Sequence, residues 1–147
     1  ETLFDSKLSF DQDIMKVIDN YQAEVIILAG YMRILSADFI SKYSGKILNI
    51  HPSLLPKFPG LNTHQRAIDA SEKKHGASVH FVTEEVDGGP VIAQQFVNID
   101  STDNSQTLAK KVLEKEHVLY PQVIRWYTQG RLKLLNNKTV ILDRKTI

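Results

Sequence analysis

Cysteine is absent from the 147 residues of the chain, which excludes disulfide bonds and zinc sites built from thiolates. The chain also lacks an apolar run near the roughly 18 residues that a membrane-spanning helix needs. It has no signal-peptide pattern and no internal repeat. We therefore expect a cytoplasmic protein with no membrane partner.

The chain also has no large excess of positive or negative charge. Eighteen Lys and Arg residues stand against seventeen Asp and Glu residues, and no basic block is longer than a pair. Nucleic-acid binding relies on clustered positive charge, so we expect no nucleic-acid partner. The hydrophobic content of 42% in a chain of this length predicts one domain with one core.

Helical and strand patterns alternate along the chain, which indicates an α/β fold. We expect a Rossmann-like, doubly wound and mainly parallel sheet, with helices on both faces and a C-terminal hairpin. The predicted helices are 10–20, 36–43 capped by Ser36, 63–74 capped by Thr63, and 105–127. The predicted strands are 25–29, 46–49, 78–82 and 91–97, and the predicted hairpin is 131–135 with 139–142 around a turn at 136–138.

The most informative motif is Asn49-Ile50-His51-Pro52, at the end of an apolar run. Residues i and i+2 of a strand share a face, so Asn49 and His51 should point the same way. Pro52 cannot continue the ladder, so the chain should leave the sheet at the carboxyl edge, where open α/β sheets usually place their sites. Asp87 follows on a glycine-flanked turn that can fold back to them. In the alternative interpretation Asn49 caps a turn and His51 is an ordinary loop histidine, which is the commoner case for an isolated Asn-x-His.

Two further groups have competing interpretations. Ser78 and His80 share one face of a strand, either toward a site or as the polar side of a half-exposed strand. The segment 32–35 follows a buried strand, where it forms either a ligand crevice or plain core. Arg33 within that segment needs a carboxylate partner or water.

Longer blocks surround these motifs: LAGYMRIL at 28–35, LNIHPSLLPKFPGL at 48–61, HGASVHFVT at 75–83, EVDGGPVI at 85–92 and EHVLYP at 116–121. Together they resemble the folate-dependent formyltransferases of the glycinamide ribonucleotide type over nearly the whole chain. The resemblance implies transfer of a formyl group from 10-formyltetrahydrofolate, a co-substrate, to the amine of glycinamide ribonucleotide in purine synthesis, with no metal.

In such a transfer the amine attacks the formyl carbon and a negative oxygen develops, which needs hydrogen-bond donors already in place. We expect Asn49 and His51 to be those donors. We expect Asp87 to favour the protonated form of His51 and to carry the proton from the amine to the folate nitrogen.

The resemblance also implies binding residues. The folate pocket would comprise Met32, Arg33, Ile34, Leu35, Leu48, Val82, Glu84, Glu85 and Val86. The ribonucleotide site would comprise Lys7, Ser78, His80 and Glu116, with His80 orienting the site. In the alternative interpretation, Lys7 and Glu116 are ordinary charged residues on the protein surface.

Two kinds of departure from the family pattern affect the nucleotide half of the site. Asn62 stands where a second histidine is common, and Leu113 stands where the family often has a glutamine. The first glycine is Gly30, so the glycine-rich phosphate loop that opens such folds has no counterpart here. We expect a segment on the order of 60 residues upstream, with residues 1–147 as the C-terminal portion of one domain.

Three alternatives stay open from the sequence. They are another 10-formyltetrahydrofolate-dependent formyltransferase, such as the one acting on methionyl-tRNA, a hydrolase that removes formyl from the same folate, and a noncatalytic folate-binding module. The near-neutral charge argues against a tRNA partner. The segment 52–61 fits the purine enzyme better than the hydrolase.

Overall fold

The computed structural model describes the backbone of residues 3–135 and 139–142 and the side chains of residues 8–135. The helices are α1 (Leu3–Asn20), α2 (Ala37–Lys42), α3 (Thr63–Asp69) and α4 (Ser105–Thr128). The strands are β1 (Ile26–Leu28), β2 (Ile47–His51), β3 (Lys74–Phe81), β4 (Val91–Asn98), β5 (Leu132–Leu135) and β6 (Thr139–Leu142). Within these residues, no helix is both long enough and apolar enough to cross a bilayer.

The α/β class is confirmed, but the expectation of a mainly parallel sheet is wrong for the described part. Four strands lie in the order β1-β2-β3-β4, and only β1 and β2 are parallel. β3 runs antiparallel to both of its neighbours. The alternation of helix and strand was misleading because α3 ends at Asp69, well short of the predicted end near Lys74, and the chain returns beside β2 without a long crossover helix.

β3 is also longer than predicted, since it begins at Lys74. Its early part contains Gly76, where a side chain would be only 2.0 Å from the carbonyl oxygen of Gln95 on β4. A glycine inside a strand often marks such a close backbone approach. Because glycine is unfavourable in strands, the sequence did not predict a strand at this position.

Both faces of the sheet are covered, as predicted. Ile47 packs with Phe39 and Tyr43 on the α2 side, together with apolar residues of α1. The next residue, Leu48, points to the opposite face and joins the larger core under α4. Adjacent residues of a strand thus supply two separate cores.

Predicted helix caps are partly confirmed. Ser36 caps α2, since its hydroxyl accepts a hydrogen bond from the backbone N–H of Phe39. Thr63 is the first residue of α3 rather than its cap, and the N-cap position is held by Asn62. The Thr63 hydroxyl donates instead to the carbonyl of Pro52. The predicted C-terminal hairpin is confirmed by the antiparallel pairing of β5 with β6, and its turn at 136–138 lies outside the described residues.

Two tyrosines one heptad apart on α4 tie the parallel strands together. The Tyr120 hydroxyl lies 2.6 Å from the carbonyl oxygen of Leu28 and 3.0 Å from that of Leu48, near the carboxyl ends of β1 and β2. The Tyr127 hydroxyl lies 3.1 Å from the carbonyl oxygen of Gly45, just before β2. Burial and the resulting desolvation hold the pKa of the Tyr120 hydroxyl well above its usual range, so it stays a donor.

Removing the Tyr120 hydroxyl should therefore loosen the strand ends that carry Asn49. We expect Tyr120→Phe to lower the free energy of unfolding by about 1 to 2 kcal/mol, because a buried and a part-buried carbonyl lose a shared donor. Tyr127→Phe, at a more solvated position, is the matched control and should cost less than about 1 kcal/mol. Urea denaturation checks both, and equal losses would contradict a special role for Tyr120.

Candidate active site

The antiparallel pairing of β2 with β3 builds the centre of the site. Asn49 lies opposite His80 and His51 lies opposite Ser78. Residues directly opposite each other share a face, so four polar side chains gather on one side of the sheet. The Asn49 amide nitrogen lies 3.4 Å from Nε2 of His80.

Asp87 is brought to this group by the turn after β3. Its backbone is left-handed, with φ of 53°, a conformation that Asp tolerates better than most residues. One carboxylate oxygen, Oδ2, accepts a hydrogen bond of 2.9 Å from the N–H of Gly60 and lies 3.5 Å from Nδ1 of His51. The other oxygen, Oδ1, lies 3.8 Å from Nε2 of His80. The structure thus brings the predicted amide, imidazole and carboxylate together.

The turn can be this tight because of Gly89. A side chain at that position would come within 1.8 Å of the carbonyl oxygen of Phe81. Only a glycine permits this backbone contact, which folds the end of β3 back toward the sheet and carries Asp87 with it.

The two histidines beside Asp87 hold their protons differently. Nε2 of His51 lies 2.9 Å from the carbonyl oxygen of Phe58, so this nitrogen donates and Nδ1 faces the carboxylate. In His80 it is Nδ1 that donates, to the carbonyl oxygen of Phe81 at 2.9 Å. Burial lowers the pKa of His80, so its ring is neutral and Nε2 is an acceptor for the Asn49 amide. His80 orients Asn49, while His51 has its Nδ1 directed at Asp87.

A cavity of about 1010 Å³ opens beside these groups. Its lining is mostly apolar with a limited number of polar side chains, the usual character of a small-molecule site. Asn49, His51, His80 and Asp87 line it, together with the predicted binding residues Met32, Arg33, Ile34, Leu35, Val82, Glu84, Glu85, Val86 and Glu116.

Three predicted binding residues require correction or are not described. Leu48 is fully buried against α4 and does not line the cavity. Ser78 is fully buried as well, and its hydroxyl donates to the carbonyl of Ser53 at 2.7 Å and accepts from the N–H of Leu55 at 3.0 Å. Ser78 therefore fixes the loop after His51 rather than contacting a substrate. The side chain of Lys7 lies outside the described residues.

Arg33 has a different partner from the one the sequence suggested. Its guanidinium lies over the ring of Phe10 on α1, 3.9 Å from the ring centre, a cation–π contact. On the same helix, the buried carboxylate of Asp11 accepts a hydrogen bond of 2.7 Å from the N–H of Ser36. These two contacts hold the cavity wall 32–35 against α1.

Glu116 lines the cavity from α4, and burial raises the pKa of its carboxyl group.

Sequence reasoning missed the pair formed by His64 and His75. Nδ1 of His64 lies 3.1 Å from Nε2 of His75, and His64 lines the cavity while His75 is buried behind it. The only sequence signal was that both lie near the Asn-x-His motif. Their contact depends on where α3 ends and β3 begins, which were the boundaries that the sequence predicted least well.

Among the side chains of residues 8–135, no group of three or more acidic or histidine residues is arranged to hold a metal ion. The absence of a metal from the reaction stays a prediction.

The mixed sheet and the convergent amide, imidazole and carboxylate define an α/β protein with a polar site in the lining of a mostly apolar cavity. The chain belongs to the formyl transferase family, whose sequence model matches residues 1–124. Phosphoribosylglycinamide formyltransferase of Escherichia coli is 50% identical to it over 134 residues, which are 91% of this chain and 63% of that protein.

Solved structures agree with this family. Phosphoribosylglycinamide formyltransferase from Coxiella burnetii matches with a TM-score of 0.89 at 48% identity, over 93% of this chain and 64% of that one. A formyltetrahydrofolate deformylase from Pseudomonas syringae pv. tomato matches with a TM-score of 0.84 at 32% identity, over 90% of this chain and 44% of that one. The chain therefore spans somewhat less than two thirds of the Escherichia coli and Coxiella proteins.

The buried His75 makes stability depend on pH. Burial lowers its pKa from 6.5 to about 4, so the unfolded chain binds a proton that the folded chain excludes. Stability from this residue is therefore complete above pH 6.5 and falls as the pH drops toward 4, by roughly 3 kcal/mol at most. Urea unfolding across that window should show a flatter pH dependence for His75→Phe than for wild type.

Gln122→Leu is the control for this experiment, since it alters an exposed side chain on α4 that does not titrate. It should keep the wild-type slope. Parallel slopes for wild type and His75→Phe would contradict the low pKa of His75.

Proposed function

We propose that this chain carries the catalytic and folate-binding parts of a phosphoribosylglycinamide formyltransferase. It would transfer the formyl group of 10-formyltetrahydrofolate to the amine of glycinamide ribonucleotide, giving N-formylglycinamide ribonucleotide and tetrahydrofolate. The observation that carries the proposal is the position of Asp87, 3.5 Å from Nδ1 of His51 and 3.8 Å from Nε2 of His80, in the lining of the cavity. The names of the Escherichia coli and Coxiella relatives support the choice of substrates.

The proposed reaction begins when the neutral amine attacks the formyl carbon. A C–N bond forms and the carbonyl electrons move to oxygen, which becomes negative. One N–H of the Asn49 amide faces this oxygen while the other is held by His80. Nδ1 of His51 is the second donor in the doubly protonated ring, because Nε2 already donates to the carbonyl of Phe58. This refines the sequence expectation, which did not distinguish the two ring nitrogens.

Proton transfer completes the exchange. Asp87 takes the proton that the attacking nitrogen gives up, directly or through one water, and delivers it to N10 of the folate. The bond from the formyl carbon to N10 then breaks, its electrons stay on N10, and the carbonyl re-forms. The hydrogen bond from Gly60 fixes one oxygen of Asp87 and leaves the other directed toward His80 and the cavity.

Binding roles in the cavity belong to the same proposal. The apolar side chains of Met32, Ile34 and Val86, all well exposed, would cover the faces of the pterin ring. Backbone groups of 32–35 and 82–86 would hydrogen-bond its edge. Glu116 would bind hydroxyl or amine groups of the ribonucleotide from α4. The proposed place of the reaction is the cytoplasm.

Hydrolysis of the formyl folate is the second candidate, supported by the similarity to the Pseudomonas deformylase. The same three side chains can activate water in place of an amine. The two reactions differ in their need for the ribonucleotide. Loss of formyl folate, followed by absorbance, should require glycinamide ribonucleotide if the chain is a transferase. Loss at the same rate without the ribonucleotide would identify a hydrolase, and no loss in either case would contradict both.

Substitution of the three central residues tests their roles. We expect Asn49→Ala, His51→Ala and Asp87→Ala each to lower turnover by about 100-fold to 1,000-fold, since each removes a group that acts on the developing charge or the moving proton. Formyl transfer at saturating folate measures the effect.

The matched controls are Asn98→Ala and Asp13→Ala, an amide and a carboxylate exposed away from the cavity. Both should transfer formyl at the wild-type rate. Any of the three central variants that also does so would remove that residue from the mechanism.

A further inference from the structure

The proposed mechanism leaves unused a hydrogen-bonded pair of imidazoles at the cavity wall. Nδ1 of His64 lies 3.1 Å from Nε2 of His75, and the two rings meet edge to face at 88°. His64 is half-buried and lines the cavity, whereas His75 is only 1% exposed. Burying two titratable rings in contact has a desolvation cost, so the arrangement calls for a reason.

The direction of each hydrogen bond follows from Pro52. The backbone of Pro52 raises the pKa of His75, and because a proline has no N–H it can act on the ring only as an acceptor. Since Nε2 of His75 faces His64, the nitrogen available to donate toward Pro52 is Nδ1. In the neutral ring, Nε2 of His75 is then an acceptor. His64 in turn must donate to it through Nδ1.

This chain of donors leaves Nε2 of His64 as a lone-pair acceptor. It has no hydrogen-bond partner among the residues whose side chains are described. Burial lowers the pKa of both rings, and the charge of a protonated His51 nearby acts in the same direction. Glu72 opposes this at His75 but does not overcome it. Near neutral pH the pair therefore presents an uncharged acceptor of fixed tautomer.

The surroundings of His64 indicate which ligand it faces. It belongs to the segment 60–64, whose Gly60 donates to Asp87 and which lines the cavity together with His51. The apolar wall proposed for the pterin ring is formed by other segments, 32–35 and 82–86. His64 therefore lies near His51 and Asp87, the groups that handle the amine.

We propose that Nε2 of His64, held in its acceptor tautomer by His75, receives a hydrogen bond from an N–H or O–H group of the amine-bearing substrate. His64 would thus be a binding residue and His75 a positioning residue. The inference rests on the proposed function, since it takes glycinamide ribonucleotide as that substrate. It predicts a contribution to binding that is separate from the pterin pocket.

Ring ¹⁵N NMR of the 147-residue chain tests the arrangement directly. At neutral pH both His64 and His75 should carry their proton on Nδ1. Adding glycinamide ribonucleotide until the spectrum stops changing should move the Nε2 resonance of His64 and leave Nδ1 of His75 in place. In His75→Phe, the His64 ring should lose its fixed tautomer. A proton on Nε2 of His64 in the wild-type chain, or a resonance that does not move, would overturn the inference.

Kinetics supply the second test. One hydrogen bond of ordinary strength corresponds to about a tenfold change in binding. We expect His64→Leu to raise KM for the ribonucleotide about tenfold, with KM for the folate changed less than about twofold. His64→Gln, whose amide oxygen can still accept, should recover most of the loss. The control Gln65→Leu makes the same kind of change at the adjacent exposed position and should leave both constants as in wild type.

The outcomes separate this inference from the proposed reaction. Formyl transfer with an unmoved His64 resonance, or with equal increases in both KM values for His64→Leu, rejects the inference alone. A resonance that moves without formyl transfer supports ribonucleotide binding and rejects the reaction. No shift and no transfer reject both.

Discussion

The site depends on a single constraint, the fixing of the Asp87 carboxylate by the N–H of Gly60. That hydrogen bond joins two loops, the one that follows β2 and the one that follows β3. With one oxygen fixed between Gly60 and His51, the other is directed at His80 and the cavity. A left-handed backbone at Asp87 and the absence of a side chain at Gly89 make this position reachable. Displacing the carboxylate would leave His51 with only its bond to Phe58 and the amine without an acceptor for its proton.

The sheet places the remaining groups through the change in direction at β2. This strand is parallel to β1 and antiparallel to β3, so Asn49 and His51 at the carboxyl end of β2 meet the side chains of His80 and Ser78 of β3 on one face. The hydroxyl of Tyr120 on α4 joins the ends of the two parallel strands through the carbonyls of Leu28 and Leu48. Around the cavity, burial determines which histidines stay neutral. His64, His75 and His80 have lowered pKa values and act as neutral groups with defined tautomers, whereas His51 has its second nitrogen directed at a carboxylate.

Sequence reasoning reached the α/β class, the two covered faces, the hairpin and the convergence of Asn49, His51 and Asp87. The class, the covered faces and the hairpin follow from local rules such as alternation along a strand and turns at glycine and proline. The convergence of the three side chains was expected from the resemblance to the folate-dependent formyltransferases, because an isolated Asn-x-His is more often an ordinary turn. It did not reach the strand directions or the end of α3, because these depend on contacts between distant segments. Ser78 was misassigned for a related reason. Its position on the polar face of a strand suggested a ligand contact, but its hydroxyl makes hydrogen bonds with the backbone of the neighbouring loop instead.

The most direct test of the account is a crystal structure of the chain with a stable analogue of 10-formyltetrahydrofolate. The account predicts the formyl oxygen about 2.7 to 3.1 Å from both the Asn49 amide nitrogen and Nδ1 of His51, the distances that charge-stabilising donors require. The formyl carbon should face the free oxygen of Asp87. A pterin ring seated in the cavity with its formyl group pointing away from these three side chains would contradict it.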